Sequence, residues 1–203
     1  LFRSSALRAA GSVDGSPVLD KNYADTRSYQ HFAVSGEKYK SQAFGYVYNK
    51  ANERGKGDKQ AIPFSAGALT PETDAIFASK DNLKYKGEAF IGRNTEGFIV
   101  KGTSEFNINF FNNQISGDLS FKNTEKPGYG GEKTRYPEKI TFEKGTISSN
   151  TFVAEGHAGS GIYPESATAQ GQFYGEGAAE MGGTFQIGSF ISYTDGSFGA
   201  IKQ

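Results

Sequence analysis

The chain has 203 residues, room for one large domain or two small ones, with 22 basic residues balanced by 22 acidic ones. That balance leaves no cationic excess to neutralise phosphates, which excludes nucleic acid as a partner. The absence of cysteine removes disulfides, thiolate metal sites, a cysteine nucleophile and a lipidation site from these residues. No apolar run approaches the roughly 20 residues of a spanning helix, so no membrane insertion is expected. Twenty-seven glycines, 17 phenylalanines and 11 tyrosines favour strands over a helical bundle.

Residues 1–20 are small and polar, and are expected to form a loose lead-in. The chain opens on Leu1, which fits removal of an export signal. A strand is predicted over residues 42–48, with Phe44, Tyr46 and Tyr48 on one face, followed by a solvated loop over residues 49–59. Thr70 and Pro71 read as the N-cap and first residue of a short helix ending near Ser79.

The pattern sharpens after residue 83. Residues 85–91 form a strand candidate. Phe106, Ile108 and Phe110 alternate with polar neighbours, Asn112 and Asn113 turn the chain, and Ile115, Gly117, Leu119 and Phe121 alternate in turn. A Gly/Lys/Pro-rich loop is expected over residues 123–137. Strands at residues 140–142 and 152–154 flank a turn at residues 145–150.

Residues 171–185 read as another hairpin. Phe173 and Tyr174 end the first arm, Gly175 and Gly177 flank a polar turn, and residues 181–185 open the second arm. A last strand covers residues 197–202. About eight short strands joined by hairpins argue for an up-and-down antiparallel barrel, whose closure removes exposed edges. The expected fold is mainly β, with a β-rich N-terminal unit over residues 1–82 and an eight-stranded antiparallel β-barrel over residues 83–203.

Three segments resemble one family. The turn Phe111-Asn112-Asn113-Gln114-Ile115 and the hairpin Phe173-Tyr174-Gly175 with Glu180-Met181-Gly182-Gly183-Thr184-Phe185 are followed by the close Phe198-Gly199-Ala200. In that order they are similar to the small barrel of the transferrin-binding-protein-B-like proteins of Gram-negative bacteria. That family pairs each barrel with an N-terminal handle, implying a handle domain within residues 1–82. A single lobe without cysteine resembles most the hemophilin-type hemophores of this family. The resemblance implies a secreted haem-binding protein, exported through a surface-lipoprotein-assembly translocon. It would take haem, from host haem proteins among other sources, and deliver it to an outer-membrane haem receptor.

Haem b needs one or two axial ligands, and His31 and His157 are the two histidines. His31 lies between Tyr29 and Phe32, rings that could stack on a porphyrin. His157 precedes a glycine-rich stretch where a flat macrocycle could approach the backbone. If Phe152 and Ala154 face the core, His157 faces outward, and it is expected at the handle–barrel seam. Incidental surface histidines are the plainer alternative.

Tyr29, Tyr39 and Tyr163 are further ligand candidates, Met181 reads as core, and Arg27, Lys38 and Lys40 could meet the propionates. No serine elbow or dinucleotide glycine motif is present, so catalysis is not expected. The leading expectation is haem capture clamped by His31 and His157. The alternative is a host-protein-binding module for transferrin, lactoferrin or a complement regulator. A lipocalin-like carrier of another apolar ligand is a third.

Overall fold

The computed structural model describes residues 9–13, 16–19, 29–49, 60–93, 99–122, 125–127, 133–135, 137–159, 164–189 and 192–203. The first strands are β1 (Ala9–Val13) and β2 (Ser16–Leu19), an antiparallel pair inside the expected lead-in. β3 (Tyr29–Val34), β4 (Gln42–Asn49) and β5 (Gln60–Gly67) form an antiparallel sheet with β4 at its centre. The predicted loop at residues 50–59 lies outside the described residues.

The barrel strands are β6 (Asn82–Arg93), β7 (Ile99–Asn109) and β8 (Gln114–Phe121), then, after two short strands, the remaining five. The short pair is β9 (Glu125–Pro127) with β10 (Lys133–Arg135), lying inside the stretch expected to be loop. β11 (Lys139–Ser148), β12 (Thr151–Ala158), β13 (Glu165–Tyr174), β14 (Glu180–Ser189) and β15 (Ser192–Lys202) complete the wall. The ring closes in the order β11-β12-β13-β14-β15-β6-β7-β8, an eight-stranded antiparallel barrel as the alternation predicted.

The alternation that identified the strands also fills the barrel. In β7, Ser104, Phe106 and Ile108 point inward while Thr103, Glu105 and Asn107 point out. Inside, the Phe106 and Phe198 rings stack with centroids 4.8 Å apart. Phe173 meets Phe110 at 5.5 Å and Phe152 at 5.6 Å. Each fully buried ring of this kind contributes about 1.5–3 kcal/mol of transfer free energy. Met181 is fully buried among them, as its place in the hairpin arm predicted.

One end of the barrel is knitted shut. The β7–β8 and β11–β12 connections are tight turns with positive φ at Asn113 (54°) and Ser149 (55°), so the second turn is shorter than expected. Across the β13–β14 turn, Gly175 and Gly177 have φ of 74° and 60°, the left-handed region where a side chain is disfavoured. The expected helix near Thr70 is a 3-10 turn, Ala75–Ala78, capped by Asp74 rather than Thr70. The Thr70 hydroxyl instead donates to Gly175 O, tying this segment to the hairpin turn. Phe77 then plugs the end, its ring 5.7 Å from Phe110 and 5.9 Å from Phe173.

The β3–β4–β5 sheet packs across the outside of β14, β15 and β6. Its apolar contact is a small cluster of Tyr39, Phe44 and Phe90. Next to it, the Ser197 hydroxyl donates to Gly45 O at 2.6 Å, and Tyr39 OH donates to Gly199 O at 3.3 Å.

Candidate binding surface

A ligand held inside this barrel would compete with the rings already there. Phe106, Phe142, Phe173 and Phe198 are fully buried in one contiguous cluster. Tyr85 adds its ring to it, and its hydroxyl donates to Ala178 O at 2.7 Å. An eight-stranded barrel is just narrow enough to be filled this way. The lipocalin-like reading is corrected by this packing, and binding must be sought on the outside.

The outside divides into a covered and an uncovered wall. On the covered wall, the segment leading into β4 is bound to the start of β14. The backbone N–H groups of Lys40 and Ser41 donate to Glu180 Oε1 at 2.5 and 3.1 Å, and Gln42 Nε2 donates to Met181 O at 2.8 Å. Gln42 and Glu180 are 1% and 3% exposed. Burial pushes the Glu180 carboxyl above its ordinary value, against the opposing pull of those backbone hydrogen bonds.

Close approach here depends on glycine. A Cβ at Gly182 would sit 2.0 Å from Gln42 Oε1, and one at Gly199 would sit 2.2 Å from the Phe44 ring. Both glycines belong to segments that carry the family resemblance. Neither Gln42 nor Glu180 was anticipated as a contact residue; the glycines of those segments were the signal in the sequence for a close approach there.

At the edge of the covered wall, Glu88 bridges Lys38 at 2.8 Å and Lys101 at 3.1 Å. Burial works to raise the Glu88 carboxyl, but the hydrogen bonds and charges of both lysines outweigh it and hold it below the ordinary range. Lys38, expected to meet a propionate, is therefore engaged by a carboxylate. Tyr39 is likewise withdrawn from any ligand role. It is 1% exposed, and its phenol is raised by burial first and then by the charge of Glu88.

His157 does face outward, because Phe152, Ala154 and Ala158 of the same strand face in. It is not at the seam. β12 lies three strands round the barrel from β15, on which the sheet is centred. The cause is strand order: β12 enters the ring between β11 and β13, away from the strands that the sheet contacts.

The neighbour of His157 is Glu143, at 3.7 Å from Nδ1 to Oε1, with both side chains in solvent contact. Glu143 sits at a register shift in β11, between Phe142 paired to Gly156 and Lys144 paired to Glu155. Such an irregularity re-aims a side chain.

His31 pairs with Tyr48 across β3 and β4, on the sheet. The side chains of Tyr29, His31 and Phe32 lie outside the described ones, as do Arg27 and Tyr163. β3 belongs to the sheet and β12 to the barrel, three strands round from β15, so the described geometry does not bring the two histidines to a common centre. Among the described residues no group of three His, Cys, Asp or Glu side chains gathers as a metal site.

A hollow of about 1240 Å³ is lined by Pro63 of the sheet and by residues of the barrel strands, from Asn107 of β7 round to Thr184 of β14 and Asp195 of β15. Its lining mixes uncharged polar side chains, among them Asn107, Gln114, Thr146, Gln170, Thr184 and Gln186, with the charged Lys84, Glu143, Lys144, Glu155 and Asp195. The uncharged members offer donors and acceptors at low desolvation cost, and the charged ones add both signs of charge. A porphyrin slot would instead be dominated by apolar and aromatic side chains.

Residues 34–202 match the family described as C-lobe and N-lobe beta barrels of Tf-binding protein B. Transferrin-binding protein B of Neisseria meningitidis serogroup B is 27% identical over 155 residues, which are 69% of this chain and 24% of that protein. The solved structure of isotype 1 transferrin-binding protein B from serogroup B Neisseria meningitidis matches with a TM-score of 0.59 at 24% identity. That match covers 84% of this chain and 32% of the other. The N-lobe domain of lactoferrin binding protein B of Moraxella bovis matches with a TM-score of 0.52 at 14% identity, over 85% and 79% of the two chains.

The chain thus spans about a quarter of the curated relative and about a third of the first structure. The structural likenesses carry the fold, and the family match covers most of the chain. The closed ring of β6–β8 and β11–β15 and the match over residues 34–202 together place the chain in the family of transferrin-binding protein B β-barrels.

Proposed function

We propose that this chain is a non-catalytic, surface-displayed binding module that grips a host iron protein of the transferrin class. The observation that carries the reading is the solid barrel interior, with Phe106, Phe142, Phe173 and Phe198 fully buried. A barrel with no chamber must meet its partner through its outside. The relatives' names supply the partner class, transferrin for one and lactoferrin for another. The uncovered wall suits a folded protein, since its polar and charged side chains can be met by hydrogen bonds and bridging water across a wet interface. In this reading residues 1–82 act as a handle-type domain that shapes the covered wall, and the protein works at the surface of a Gram-negative cell.

Haem capture by His31 and His157 draws no support from this geometry, because β3 lies in the sheet over β14, β15 and β6 while β12 is three strands round the ring from β15. A two-arm experiment separates the readings. The immobilised chain is exposed to serum, and the same chain is titrated with hemin in visible absorption. Retention of transferrin or lactoferrin in stoichiometric amount, without a sharp Soret band, is the expected result. No host protein retained, with a Soret band that the change of His31 and His157 to Ala abolishes, would overturn it.

A further inference from the structure

Outward side chains on the barrel fall into rows, because residues paired across neighbouring strands share a face. One row runs Asn82, Asn109, Gln114, Thr146, Val153, Gln170 and Thr184, each paired with the next, over seven strands from β6 to β14. Its next position, Ser197, passes beneath the sheet, where the hydroxyl donates to Gly45 O. All seven residues line the hollow, and none is charged.

The neighbouring rows differ. The adjacent one contains Lys84, Lys144, Glu155 and Asp195, charges of both signs. In the row beyond it the side chains engage one another: Lys86 Nζ lies 3.3 Å from Glu105 Oε2, and Thr141 Oγ1 donates to Asp118 Oδ1 at 2.8 Å. Among the described residues the side chains of Asn82, Gln114, Thr146, Gln170 and Thr184 make no such contact. Asn109 uses only its oxygen, which accepts from the Asn112 N–H at 2.9 Å and leaves the amide NH2 as a donor.

A row of this chemistry selects its ligand. Each amide presents donors and an acceptor, and each hydroxyl does both. A charged ligand finds no counter-charge among these seven residues, and an apolar one would desolvate the amides without replacing their hydrogen bonds. An extended peptide finds no open edge to join, because the ring is closed. The strands repeat the side chains every ~4.8 Å, close to the advance of one sugar unit along an extended chain. At the middle of the row Val153, 58% exposed, offers an apolar spot for the C–H face of a sugar. Two residues past Asn109, Phe111 is 63% exposed, with Lys80 Nζ 5.5 Å from its ring centroid. The electron-rich face of such a ring attracts sugar C–H groups.

We propose that this uncharged row binds a neutral, linear oligosaccharide laid across the strands over Val153, with Phe111 stacking near the β7–β8 end. The site goes beyond the grip on a host protein and does not rest on it.

The test titrates the full chain with maltoheptaose, cellohexaose and chitohexaose, followed by backbone amide chemical shifts. At least one of them should shift the amides of Gln114, Thr146, Val153 and Gln170, with an affinity that added salt leaves unchanged. Gln170→Ala and Phe111→Ala, both at exposed positions, should each weaken binding about fivefold to tenfold. Lys86→Ala, two rows away, should bind as the wild type does. No shift with any of the three sugars, shifts confined to other surfaces, or affinity that falls with salt would overturn the site. So would equal binding by the wild type, Gln170→Ala and Phe111→Ala.

Discussion

The barrel interior and the sheet–barrel seam are both buried, yet they are held by different chemistry. The interior is a continuous set of rings and aliphatic side chains that asks only for volume and the right face. Among the described residues the seam clusters Tyr39, Phe44 and Phe90, with Ile99 and Ile201 packed against them, and is also fastened by hydrogen bonds to particular carbonyls, those of Gly45, Met181 and Gly199. Apolar packing is non-directional and indifferent to pH. Hydrogen bonds to fixed carbonyls are directional, and here they include a buried carboxyl.

The largest expected effect separates the two by breaking the interior. Phe106→Ala removes a ring stacked on Phe198 and Phe142 and should destabilise the fold by about 3–5 kcal/mol, read by denaturant unfolding. Loss well below that range would mean the interior can collapse around the gap, and would weaken the claim of a solid core.

A smaller effect isolates the seam. Gly199→Ala places a Cβ against the Phe44 ring from the barrel side and should cost about 1–3 kcal/mol by overpacking. The loss should appear as lower exchange protection in residues 42–45 while the strands β8, β11 and β12 keep theirs. Equal loss in both regions would erase the distinction between them.

The smallest effect comes from the edge. Glu88 is held below the ordinary carboxylate range, so its contribution is present above that range and disappears as pH falls through the lowered value. Glu88→Gln should cost about 1 kcal/mol or less near neutral pH and nothing once the wild-type carboxyl is protonated. Stability curves of the two proteins against pH should converge on the acid side. This trend runs opposite to that of Glu180, whose contribution is largest in acid.

Much of the barrel was legible because a period of two in hydrophobicity is a local property. Phe106, Ile108, Ile115 and Leu119 announced their face by their immediate neighbours. Strand ends were less legible: β11 and β12 run several residues beyond the apolar cores that marked them, because ladder pairing with β8 and β13 extends them. Thr70 and Pro71 looked like a helix start, but the Thr70 hydroxyl found Gly175 O, 105 residues away in sequence, and no local rule contains that partner. The histidines stood out by rarity, which says nothing about where a strand joins a ring.

What the sequence by itself determined is the class of fold, the faces of its strands and the family to which the turn, hairpin and closing strand belong. Those depend on side-chain alternation and backbone freedom at turns, which neighbours in the chain decide. Only the tertiary structure decided which wall the sheet covers and that His157 lies away from it. The same holds for the meeting of the Ser41 N–H with Glu180 Oε1, 139 residues apart in sequence. These are matters of ring closure and register, which bring distant segments together and leave no periodic trace in either one.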